Sequence, residues 1–166
     1  MAPSSSQDIA VVFPLLISLV TTLATIVVHV GASAAIAYFL LGEYRRGRAG
    51  VRFWRDVAIV AGGTLLALIA HLAEITIWAL VLDASGEFTH FAMAFYHSAM
   101  NYSSLGYGDI VMSNSWKLMG PLEAANGMLM FGISTAMIFT LMQLLFQTRV
   151  AAVTELHANF RRDRRL

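Results

Sequence analysis

The sequence predicts an all-α integral membrane protein: three transmembrane helices, with a short re-entrant helix and an extended glycine-containing strand between the second and third. Three observations carry this. Hydrophobic residues make up 58% of the 166 and charged residues 13%, against roughly 45–50% and about 25% in soluble domains, so there is too little polar surface to coat a soluble particle. Three long runs are almost free of charge, and each is long enough at 1.5 Å per residue to cross a hydrocarbon core about 30 Å thick. One further apolar stretch is too short to cross and too apolar for an ordinary loop. Together these exclude a large soluble enzyme domain. The absence of cysteine excludes a disulfide scaffold, a zinc ribbon and a thiol nucleophile. A formal charge of +1 gives no reason to expect a nucleic-acid partner.

Residues 1–8 carry no positive charge, and the apolar run after them is too long for the core of a secretory signal. The first transmembrane helix is expected over 9–41, from Ile9 to Leu41, without a charged residue. A basic loop, 42–56, holds Arg45, Arg46, Arg48, Arg52 and Arg55. The second span, Val57 to Leu82, is interrupted only by His71 and Glu74. The third, 118–147, contains Glu123 as its one acid, and a basic tail, 149–166, holds Arg149, Arg161, Arg162, Arg164 and Arg165. Lysine and arginine accumulate in cytoplasmic loops, and only Lys117 lies outside the two clusters. The expected topology therefore has the N-terminus outside, loop and tail in the cytoplasm, and 83–117 outside. The tail has the composition of a contact with anionic lipid.

Phe91 to Tyr102 (FAMAFYHSAMNY) makes a helix of roughly 18 Å, well short of a crossing. It precedes Ser103-Ser104-Leu105-Gly106-Tyr107-Gly108-Asp109, where two glycines break the helix and open backbone angles closed to other residues. Non-helical backbone at membrane depth is tolerated only where protein buries it or it lines a water-filled cavity. A short helix in and an extended strand out thus predict a lined pore, within a pore domain of 57–148.

The strand 104–109, SLGYGD, resembles the selectivity filter of potassium channels, and the context is similar too: a span, a pore helix at 91–102, the filter, then a second span. The resemblance implies ion binding by the carbonyls of Ser104, Leu105, Gly106 and Tyr107, with Gly106 and Gly108 supplying the unusual backbone angles. It places Asp109 at the outer mouth and Tyr107 away from the axis. Each chain has one such strand and a ring needs four, so it implies a homotetramer in a lipid bilayer. The implied activity is passive, potassium-selective conduction across the cell membrane: no enzyme chemistry, no small-molecule substrate, and no cofactor beyond K+ ions in the filter. Two positions depart from the family. Ser104 and Leu105 stand where threonine and valine or isoleucine are usual, which keeps a weakly selective cation channel as the alternative. The acid usual in the pore helix is replaced by Met100.

Ionisable groups at membrane depth need partners. His71 and Glu74 stand three apart on one helix, as do Glu123 and Asn126 on another. These four, with His97 or Asn101, are expected to form a polar network supporting the filter in place of the missing acid; plain pairing between helices is the simpler account. His97 is also a candidate partner for Tyr107. His29, deep in the first span, reads as a hydrogen-bonded packing residue. Histidine and carboxylate three apart also occur in metal-binding bundles, so a metal-binding or regulatory membrane subunit is a further alternative, although the full di-iron pattern is absent. Gly127 and Gly132 are candidate hinges in the last span. No run of arginines marks a voltage sensor.

Overall fold

The computed structural model describes residues 11–50 and 52–163. The N-terminal stretch 1–8, with Arg164 and Arg165 of the tail, lies outside them. Four helices carry the described chain: α1 (Val12–Arg45), α2 (Phe53–Ala84), α3 (Phe91–Tyr102) and α4 (Met119–Asp163). α1, α2 and α4 are long and apolar enough to cross a membrane. Each carries large apolar side chains exposed on the single chain, among them Leu19, Val27, Leu65, Leu68, Leu129 and Phe139. In water this would be unfavourable by about 25 cal/mol per Å²; against lipid it is the solvated state.

Helices and apolar runs do not end together. α1 continues past the expected limit at Leu41 to Arg45, and α2 begins at Phe53 inside the stretch expected as loop. The hydrophobic run measures what lipid tolerates, whereas a helix continues until its backbone is interrupted. Gly47 and Gly50, at φ 62° and 76°, make that interruption. Asp56 then stands in the first turn of α2, where a negative charge meets the unsatisfied N–H groups. At the far end of α2, Gly86 at φ 77° donates its N–H to the Asp83 carbonyl at 3.1 Å and stops the helix. Pro121 falls in the first turn of α4, where its missing donor has no partner to lose. The tail expected from 149 is helical to Asp163.

The chain forms two compact units. One comprises Met1–Val30 and Ile69–Gly132, the other Gly31–Leu68 and Ile133–Leu166. The core of the first joins Ile75, Trp78, Ala79 and Leu82 of α2 to Ala94 and Tyr102 of α3 and to Met119 and Met130 of α4. Trp78 and Tyr102 are fully buried there. The second packs Leu40 and Ala49 against Ile59, Leu141 and Leu145. Its polar join is Asp56, which accepts the Gly50 N–H at 2.9 Å and pairs with the Arg149 guanidinium. Arg149 also lies over the Phe53 ring, 5.8 Å from its centroid. This arginine, expected only as part of a basic tail, is a structural residue of α4.

Candidate functional site

All four sequence features of the expected pore lie in the first unit: the short helix, the glycine strand, and the parts of α2 and α4 beside them. α3 opens at His90, whose backbone is extended, and ends at Ser103, whose N–H returns to the Ala99 carbonyl. Three further N–H groups then fold back onto the end of the helix: Ser104 to Asn101 at 2.8 Å, and Leu105 and Gly106 to the Met100 carbonyl at 3.0 and 3.3 Å. The donors of the strand's first half are thus taken up by α3.

Beyond this turn the backbone alternates. Ser104, Gly106 and Gly108 have φ of 58°, 52° and 74°, while Leu105 and Tyr107 between them do not enter that region. Ser104 is the only non-glycine with positive φ among the described residues, a conformation unfavourable for most side chains. No atom within 4 Å would obstruct a Cβ on Gly106 or Gly108, so both glycines answer a conformational demand and not a shortage of space. Alternation of this kind turns successive carbonyls toward one side, the backbone condition for a column of oxygen ligands. Residues 103–109 are all exposed on the single chain, with Tyr107 at 71%.

The Asp109 end of the strand is held by a residue the sequence did not single out. Tyr96 Oη, from the middle of α3, donates to Asp109 Oδ2 at 3.1 Å. The one signal for it was its position within the helix that precedes the strand.

The polar residues expected behind the filter separate into distinct groups. Glu123, fully buried on α4, accepts from Asn101 Nδ2 at 3.4 Å and so meets the last turn of α3. Asn126, on the same helix, turns away to α1 and donates to Thr25 Oγ1 at 2.9 Å. Glu74 receives the Tyr102 hydroxyl. It also lies 2.9 Å from His29 Nδ1 and 3.3 Å from His71 Nδ1. His29 is thereby brought into the site from α1, 45 residues away in sequence. The His71 ring packs on Phe131 at 4.4 Å. His97 stands apart, against the Phe88 ring at 5.2 Å, and its buried Nε2 has no hydrogen-bond partner among the described residues. Among the described residues, side chains from the expected network thus meet the end of α3 around Glu74 and around Glu123, while Asn126 meets Thr25 and His97 lies against Phe88.

The two candidate hinges differ. A Cβ on Gly127 would lie 2.0 Å from the Tyr102 carbonyl oxygen, whereas one on Gly132 would meet nothing within 4 Å. Gly127 is therefore a point of backbone contact between α4 and the end of α3. Alongside the strand runs a groove of about 520 Å³, bordered by His97, Asn101, Ser104, Gly106 and Met128.

No curated protein and no solved structure matches the chain. Residues 65–144, which include α3, the alternating strand and the facing parts of α2 and α4, match the family model described as ion channel. That segment, just under half of the chain, is similar to the ion channel family.

Proposed function

We propose that the chain is one quarter of a potassium-selective channel in the cell membrane. The observation that carries this is the positive φ at Ser104, Gly106 and Gly108, in a strand that directly follows a 12-residue helix. In this reading α3 enters the membrane from outside and the strand returns beside it. Four strands around one axis then present rings of carbonyls from Ser104, Leu105, Gly106 and Tyr107. A potassium ion exchanges its hydration shell for these oxygens and leaves because adjacent sites share several ions. No covalent step is involved.

Two features support assembly. The strand and the groove beside it are exposed in one chain, and a single strand offers an ion only one side of a cage, so closure requires further copies. The bracing residues then have a clear task. Tyr96 secures Asp109 at the outer mouth, Glu123 holds Asn101, and Glu74 holds Tyr102, so both sides of the α3 end are fixed just before the filter. The arginines within 42–56, with Arg149, support a cytoplasmic placement for that side and an outer placement for 83–117.

Reversal potentials of the purified protein in lipid bilayers, under opposed potassium and sodium gradients, test the reading. Selective conduction moves the reversal potential with the potassium gradient, and replacement of Gly106 by alanine abolishes it. A reversal potential near zero under opposed gradients would assign a weakly selective cation pore instead, the reading that Leu105 in place of a β-branched residue favours.

A further inference from the structure

The cluster around Glu74 has more in it than a brace requires. His29, His71 and Glu74 are exposed by only 2%, 5% and 0%, and one ligand atom from each lies within 4.8 Å of the other two. Both histidines direct the same ring nitrogen, Nδ1, at one carboxylate, from 2.9 and 3.3 Å. Tyr102 Oη is 3.3 Å from His71 Nδ1 and donates to the same carboxylate. Two nitrogens and two oxygens thus converge from α1, α2 and α3.

These spacings suit an ion as well as a proton. Ligands at about 2.0–2.1 Å from a tetrahedral zinc ion stand roughly 3.3 Å apart, close to the 2.9 and 3.3 Å that separate the two Nδ1 atoms from the Glu74 carboxylate. Imidazole and carboxylate together form a borderline donor set that suits zinc and not magnesium or calcium, which take oxygen alone.

We propose that His29, His71 and Glu74, with Tyr102 as the fourth donor, bind a zinc-class divalent transition-metal ion. The site is built across the boundary of the segment that matches the ion channel family, because His29 lies before residue 65. The first helix would therefore be tied through the ion to Tyr102, the last residue of α3 before the strand. Metal occupancy would then govern how firmly that end of the strand is held.

The test reads metal content and does not depend on potassium conduction. The full chain, purified in lipid nanodiscs and stripped with a membrane-permeant chelator, is titrated with zinc and assayed by elemental analysis, and separately with cobalt for its visible absorption. The expected result is about one zinc per chain, a cobalt spectrum of tetrahedral intensity, and binding about tenfold weaker or worse in His29→Ala and Glu74→Gln. Asp83→Asn, which changes an exposed carboxylate on α2, should bind as the wild type does. Wild-type protein that takes up no zinc, or zinc uptake unaffected by either cluster substitution, would overturn the proposal. The first outcome needs no variant to fold.

Discussion

The carbonyl oxygen of Tyr102 and the α-carbon of Gly127 are in direct backbone contact, so close that a methyl group on Gly127 would sit 2.0 Å from that oxygen. Neither atom is the end of a flexible side chain, so accommodating alanine requires α3 or α4 to shift as a body. Overpacking of this kind costs about 1–3 kcal/mol. Gly127→Ala should therefore lower the thermal unfolding temperature and displace the strand that follows Tyr102, with loss of selectivity. Gly132→Ala, where nothing lies within 4 Å, should leave stability unchanged or slightly raised through better helix propensity. Equal unfolding temperatures for the two variants would refute the contact.

Tyr96 and Asp109 make a different kind of link, at the surface of the single chain. Tyr96 is 40% exposed, so its hydrogen bond, in competition with solvent, adds little to folding. Tyr96→Phe should fold normally and shorten the time for which selective current persists, because the Asp109 end of the strand has lost its tether. Asp109→Asn combined with Tyr96→Phe should then add little to the effect of either alone. Fully additive effects in that cycle would show that the two side chains act independently.

The spans and the short helix were legible because lipid imposes a length and polarity requirement that composition reveals directly. Gly106 and Gly108 were legible because alternating backbone angles demand a residue without a Cβ. The polar side chains were less so. Glu123 and Asn126 stand three residues apart, which sets them about 60° apart around the helix. That is near enough to be read as one face, yet wide enough for one to meet α3 and the other α1. His29 meets Glu74 across 45 residues, a pairing set by helix packing, and nothing local to His29 announces it. Ser104 was read for its hydroxyl, and its positive φ comes from the turn in which three successive N–H groups return to α3.

Glu123 is fully buried beside Asn101, so removing the carboxyl should cost more than removing its charge. Glu123→Gln preserves length and an acceptor for the Asn101 amide and should assemble as the wild type does. Glu123→Ala leaves a cavity and an unpaired Asn101 amide, at a cost of about 1–3 kcal/mol for the orphaned group alone. The check is the unfolding temperature of both variants in one detergent. If glutamine destabilises as much as alanine, the ionised carboxylate itself is required at this position.

His97 should make the fold sensitive to acid. Burial pushes its imidazole below the usual histidine value, and the opposing pull of Asp109 and Glu87 does not cancel this; Lys117 borders the same groove and adds positive charge there. The folded chain therefore binds this proton less readily than the unfolded chain, whose histidine titrates near pH 6.5. The stabilisation is fully present above that value and is lost as the pH falls through the lower value of the folded state. Between about pH 7.5 and about pH 5, the unfolding temperature of the wild type should fall more steeply than that of His97→Gln, which has no charge to acquire. Other groups that titrate in this window are common to both proteins and drop out of the comparison. Parallel curves would show that His97 takes up its proton as easily in the fold as in the unfolded chain, against the burial found here.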